Sequence, residues 1–153
     1  MRGSGGNHKP PTAPAESPAP KDQPPADEGK ALYEQICAAC HGFKGEGLPP
    51  VAPPLTNSIW VAGAEGRILR IVLHGLKGPI HVNGDTYQPP RVLPEMPPLA
   101  AMEDAQIAAV TTYIRSRWGG ATNAVTPEKI AALRAETAKR DQAWTEPELL
   151  QIK

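Results

Sequence analysis

Cys37-Ala38-Ala39-Cys40-His41 concentrates two thiols and an imidazole in five consecutive residues. On a helical turn, sulfurs three residues apart can both reach one edge of a flat macrocycle and form thioethers with its vinyl groups. The residue directly after the second cysteine then projects toward the centre, where an imidazole nitrogen is a good iron ligand. The pattern is that of covalent haem attachment, with one haem c held through Cys37 and Cys40 and His41 as an axial ligand. Three other uses of a Cys-x-x-Cys compete. A thioredoxin-like redox pair belongs with a βαβ pattern, which this chain lacks. Half a zinc site would need a second Cys/His pair at zinc-finger spacing, and none is present. A structural disulfide would give no role to the adjacent histidine.

A haem iron closed to outside ligands has both axial positions filled by the protein, so a second ligand is sought. Met96 sits in Pro94-Glu95-Met96-Pro97-Pro98, where prolines restrict the backbone on both sides. Such a segment can hold a thioether against a haem face, and His/Met ligation raises the reduction potential. Met102, His74 and His81 are the competing ligands. Met102 lies at the start of an expected helix and reads as a packing residue. His74 lies at a helix end, where a histidine commonly interacts with the terminal carbonyls.

Several elements must position these groups. A helix from about Asp27, with Leu32, Tyr33 and Ile36 apolar, leads into Cys37–Cys40 and stops at Gly42, Gly45 and Gly47. A second helix spans Glu65 to His74. Ile80 to Tyr87 alternates about Asn83-Gly84, the pair that suits a type I′ hairpin turn. A third helix runs from about Glu103 to Trp118, with Ile107, Val110, Ile114 and Trp118 on one stripe, and Gly119-Gly120 ends it. Thr126-Pro127-Glu128 reads as an N-cap with proline at the first helical position, opening a helix to about Arg140. Glu146 to Gln151 adds one more turn.

The bulk composition agrees with a cofactor-filled core. The 153 residues include a single phenylalanine and only 5 % aromatics, so a large apolar prosthetic group could supply missing core mass. The formal net charge is zero, without the basic stripe that nucleic-acid binding requires. No window approaches the roughly 20 apolar residues of a membrane helix. Residues 1–6 lack the apolar core of a signal peptide and read as a trimmed or vector-derived end. Residues 1–26 form a Pro/Ala-rich tail or linker, a spacer that could tether the domain to a membrane or another domain. Residues 27–120 form the expected core, and residues 121–153 a C-terminal helical extension packing on it.

Residues from about Asp27 to Trp118 resemble class I cytochromes c. The matching landmarks are Gly29 and Tyr33, Cys37–His41, Ala52-Pro53-Pro54-Leu55, Met96-Pro97, and Ile107 to Trp118. The chain is similar in more detail to bacterial periplasmic mono-haem domains. It shares their Leu73-His74-Gly75-Leu76-Lys77-Gly78-Pro79-Ile80 segment, Gly84, Tyr87, Met-Pro-Pro, Thr126-Pro127-Glu128 and Trp144-Thr145. It departs from them in the longer approach to Met96, residues 87–95.

The resemblance implies an all-α class I cytochrome c fold with a small β-hairpin insertion and a C-terminal helical extension. It implies that Gly29 meets Tyr113 where the first and last core helices cross, and that the Pro53 carbonyl accepts a hydrogen bond from His41 Nδ1. Haem-contacting residues are then Cys37, Cys40, His41, Met96, Pro53, Leu55, Trp60 and Tyr87, with His41 and Met96 on the iron. Trp60, Tyr87 and Trp118 are candidates to wall the haem or bond its propionates, and Arg91 to pair with one. The expected function is electron transfer in the periplasm or on the outer face of the cytoplasmic membrane. A monomeric domain would meet redox partners at the exposed haem edge. The alternatives are a relay domain or subunit of a periplasmic oxidoreductase, such as a quinoprotein dehydrogenase or respiratory complex, and a ligand-binding or peroxidatic haem with an open iron.

Overall fold

The computed structural model describes residues 26–153. The expected Pro/Ala tail lies outside these residues except for Ala26, which is already helical. The chain is mostly helical. Helix α1 (Ala26–Leu32) runs without a break through a π-helical segment (Tyr33–Cys37) into α2 (Ala38–His41), which ends at Gly42 with φ +81°. Then come α3 (Ile59–Ala62), α4 (Glu65–His74), α5 (Asp104–Trp118), α6 (Pro127–Glu136) and α7 (Glu146–Leu150). Four short strands lie between α4 and α5: β1 (Leu76–Lys77), β2 (Ile80–Val82), β3 (Asp85–Tyr87) and β4 (Glu95–Met96).

The framework is the crossing of α1 over α5. Gly29 is buried, and a Cβ placed there would collide with the Ala109 carbonyl oxygen and lie 2.9 Å from the Tyr113 Cβ. The absence of a side chain is what lets the two backbones approach so closely. Beside the crossing, the Tyr33 ring lies 5.6 Å from Tyr113 and 4.9 Å from Trp118, centroid to centroid, within the range of favourable aromatic packing. Trp118 also lies against Gly45, so its role is to lock the helix crossing to the loop after His41.

The core divides into two apolar clusters. The larger joins Tyr33, α4 residues such as Leu69 and Leu73, α5 residues such as Ile107 and Val110, and Ile130 and Leu133 of α6. The smaller collects Trp60, Ile71, Ile80, Val82, Tyr87, Val92 and Leu149, with Leu76, Met96 and Trp144 packed against them. The C-terminal segment contributes to both.

Caps match the local chemistry. The Ser58 hydroxyl accepts from the Trp60 N–H, and Thr126 accepts from the Lys129 N–H with Pro127 opening α6. Glu103 and Gln106 form a reciprocal capping box on α5, and Thr145 and Glu148 another on α7. The expected hairpin is present: β2 pairs with β3, and Asn83 and Gly84 both have positive φ, as a type I′ turn demands. Helix α6 stops at Glu136, short of the expected Arg140, because Arg140 leaves the helical path to stack on Trp144. No helix among the described residues is long and apolar enough to cross a membrane.

Candidate functional site

The end of α2 delivers Cys37, Cys40 and His41 to one cleft. Both cysteines are half-buried, and neither is in a disulfide. Burial, with Cys40 beside it, pushes the Cys37 thiol up to about 11. The loop after His41 folds back on the helix: the Gly47 N–H donates to the His41 carbonyl at 2.8 Å, and the Leu55 N–H to the Gly45 carbonyl at 2.8 Å. This return brings the Pro53 carbonyl to 3.1 Å from His41 Nδ1, the contact the resemblance implied. Burial lowers the imidazole's affinity for a proton and the bond to Pro53 partly opposes this, which favours the neutral, metal-binding form. With Nδ1–H donated to Pro53, Nε2 is the nitrogen left to bind a metal.

Met96 reaches the cleft on a strand. Leu76 pairs with Met96 and Lys77 with Glu95 in an antiparallel register. Gly75, at φ +85°, lets the Met96–Pro98 backbone pass against it. The cleft bordered by His41 and Met96 has two adjoining lobes of about 680 and 570 Å³, counted out into open solvent. Cys37 borders one and Cys40 the other; His41, Pro53, Leu76, Ile80 and Met96 border both. The remaining walls are almost wholly apolar. A flat, apolar macrocycle attached at the cysteines fits this donor set: a soft thioether and an imidazole, with no carboxylate on the walls of the Cys37 lobe. Among the described residues no cluster of three or more His, Cys, Asp or Glu side chains could hold a bare metal ion.

The other candidate ligands face elsewhere. His74 Nε2 lies 2.7 Å from the Thr137 hydroxyl, toward α6. His81 is exposed, with Nδ1 2.6 Å from a Glu146 carboxylate oxygen. Met102 packs against the larger core cluster. None of the three borders the cleft.

Of the expected wall residues, Pro53, Leu55 and Trp60 line the Cys37 lobe. The Trp60 indole N–H is already taken by the His81 carbonyl at 2.8 Å, so Trp60 contributes its ring rather than a free donor. Tyr87 does not border the cleft. It is buried one layer behind, paired with Ile80 and covered by the Arg91 guanidinium 4.3 Å above its ring. Trp118 belongs to the helix crossing, and Arg91 to Tyr87 and Asp85.

Ser58, Leu76, Leu99 and the α4 residues Ile68, Ile71 and Val72 are lining residues that the sequence did not single out for the site. For α4 the signal was present, since its apolar run is too dense for one core-facing stripe. For Leu76 it was not, because its place depends on pairing with a distant segment.

The family model described as cytochrome c matches residues 26–118. The chain belongs to the cytochrome c family. As a member it carries covalently attached haem c with iron. It is 33 % identical over 135 residues to cytochrome c-552 of Thermus thermophilus, covering 82 % of this chain and 98 % of that protein. It is also similar to the cbb3-type cytochrome c oxidase subunit CcoP of Rhodobacter capsulatus, at 30 % over 106 residues, covering 66 % of this chain and 32 % of that one. The gluconate 2-dehydrogenase cytochrome c subunit of Pantoea cypripedii is 31 % identical over 131 residues, covering 80 % of this chain and 28 % of that subunit. The cytochrome thus matches one relative along nearly its whole length and two others along about a third.

Proposed function

We propose that this cytochrome is a periplasmic electron carrier holding one haem c through Cys37 and Cys40, with His41 and Met96 on the iron. The observation that carries the reading is that His41 and Met96 border the same apolar cleft, the first fixed by Pro53 and the second by pairing with Leu76. Cys37 and Cys40 would hold the group by adding their S–H bonds across its vinyl double bonds, each forming a C–S bond and passing the hydrogen to the neighbouring carbon. When bound, the group supplies one-electron chemistry as its iron alternates between Fe(III) and Fe(II).

The chain does the rest. The Pro53 carbonyl orients the His41 ring and makes it a stronger donor. The apolar walls, including Leu55 and Trp60, exclude water and disfavour the extra charge of the ferric state. Tyr87 supports that wall from behind through Ile80. Residues 27–120 serve as a class I electron-carrying core, with the 80–87 hairpin as an insertion and residues 121–153 as a helical extension. A partner docks as to a monomeric domain at the haem edge beside Cys37 and Cys40. There Phe43, 68 % exposed, follows the motif, and Leu93, 54 % exposed, borders the Cys40 lobe.

The test is ligand replacement in the holo-protein. Met96→Ala should abolish the weak red charge-transfer band of Met-ligated ferric haem, lower the potential and open the iron to carbon monoxide or cyanide. Met102→Leu should leave all three nearly unchanged. A band that survives Met96→Ala and disappears in Met102→Leu would overturn the assignment. Haem lost to acid–organic extraction of the denatured protein would overturn the thioethers.

A second reading, a relay domain within a larger periplasmic oxidoreductase, is supported by the two relatives that this chain matches over about a third of their length. Haem staining of periplasmic and membrane fractions from the source cell separates the two. A band near the mass of this chain favours the free carrier, and a much larger one the relay.

A further inference from the structure

Strand β1 is the middle member of a three-segment ladder. On one edge Leu76 pairs with Met96. On the other, the Trp144 N–H donates to the Gly75 carbonyl at 3.0 Å, and the Lys77 N–H donates to the Trp144 carbonyl at 2.9 Å. Successive residues of an extended strand present their polar groups to alternate edges, so Leu76 serves β4 while its two neighbours serve residue 144. The backbone of Met96 is one strand away from the backbone of Trp144.

Residue 144 is itself locked in place. The Arg140 guanidinium lies 3.5 Å over the Trp144 ring, and Arg70 of α4 approaches the same ring at 5.7 Å. Arg140 Nε donates to the Gln142 carbonyl at 2.9 Å, and its Nη2 to the Ala143 carbonyl at 3.0 Å and the Glu148 carboxylate at 2.9 Å. One guanidinium therefore grips the backbone just before residue 144, a carboxylate just after it, and the ring between. The ring packs against the same apolar cluster as Leu76 and Met96.

We infer that Trp144, clamped by Arg140, is a positioning residue for Met96: the C-terminal segment holds β1 from behind and limits how far β4 can swing from the cleft. The inference rests on Met96 being the distal ligand. A two-residue strand pair has little stability of its own, and a neutral thioether is a soft, weakly held axial ligand. Ligation by Met96 therefore depends on the fraction of time its strand is in place. An exogenous ligand binds only when Met96 has left, so its apparent affinity scales with that open fraction.

Cyanide titration of the ferric holo-protein at 25 °C reads this fraction directly. Trp144→Leu and Arg140→Gln should each raise the apparent cyanide affinity about tenfold, and Trp144→Phe should return it most of the way to the parent value. Ile130→Ala serves as the control. Ile130 is fully buried in α6, in the larger cluster and away from the ladder, so its truncation should lower the thermal midpoint without moving the cyanide affinity. A cyanide affinity within twofold of the parent in Trp144→Leu, or an equal rise in Ile130→Ala, would overturn the inference. Met96→Ala is titrated alongside. If it binds cyanide no more tightly than the parent, the ligand assignment falls and the inference with it. If it binds tightly while Trp144→Leu is silent, only the inference falls.

Discussion

The carbonyl oxygen of Met96 occupies the place where a side chain on Gly75 would begin. A Cβ there would collide with that oxygen and lie 3.2 Å from the Pro98 nitrogen, and Gly75 has φ +85°, where L side chains are strained. Gly75→Ala should therefore push β4 away from β1. We expect a loss of about 1–3 kcal/mol in denaturant unfolding, together with a weakened ferric charge-transfer band. Retention of both the midpoint and the band would show that the strands can part at this point without cost.

Gly29→Ala has a diagnostic sign. In an exposed helix the change would stabilise by up to about 1 kcal/mol through helix propensity. Here the new methyl would meet the Ala109 carbonyl, which is backbone and cannot rotate away. Overpacking should dominate and destabilise by about 1–3 kcal/mol. Haem content should stay unchanged, because Cys37, Cys40 and His41 are untouched. A stabilised variant in urea titration would mean that α1 and α5 do not cross this closely.

Tyr33→Phe tests the turn after the attachment motif. The fully buried Tyr33 hydroxyl donates to the Gly42 carbonyl at 2.6 Å, and burial raises its pKa well above the usual tyrosine range. The same carbonyl also accepts from the Gly45 N–H at 3.2 Å, so removal of the phenol does not orphan it. The expected loss is about 1 kcal/mol, the ordinary net value of one hydrogen bond, with the absorption spectrum retained. A loss several times larger by calorimetry would show that the turn depends on the phenol alone.

The pH dependence of the C-terminal clamp follows from Glu148. Hydrogen bonds from Arg140, then from the Thr145 N–H, hold its carboxyl at about 2, against an ordinary value of 4.5. Its stabilisation is present above pH 4.5 and lost as pH falls from there toward 2. The side chain is 42 % exposed, so solvent screening limits the effect to about 1 kcal/mol or less. Glu148→Gln should lower the thermal midpoint slightly at neutral pH and match the parent near pH 2. A gap that persists unchanged into acid would assign the effect to packing.

What was legible in the sequence was local. The attachment motif is five consecutive residues. Glu65–His74 is marked by its apolar run, and Ile80–Tyr87 by Asn83-Gly84. The π segment Tyr33–Cys37 carried no mark, because no residue type signals one extra residue per turn. The four residues of α3 did have a signal in Ser58, but too short a run to read as a helix. Helix α6 ends a few residues before Arg140, which stacks on an aromatic ring outside the helix. Leu76 and Trp144 could be quoted as family landmarks, yet nothing periodic in the sequence says that they touch. Pairings of one or two residues between distant segments leave no pattern in either segment.

The Leu76–Met96 pairing also bears on the length of residues 87–95. Side chains alternate faces along a strand, so sliding β4 by one residue against β1 would turn Met96 away from the cleft and present a neighbour instead. What aims Met96 is therefore its register against Leu76, and the number of residues spent in reaching it matters little. Lengthening a flexible connection costs only about 0.6 kcal/mol per doubling. The buried Val92 and the Leu93 N–H, which donates to the Val51 carbonyl at 3.0 Å, are fixed points of this segment, so insertions and deletions can accumulate at the Gln88–Arg91 turn while the sulfur keeps its aim, which leaves that part of the rim free to diversify in shape.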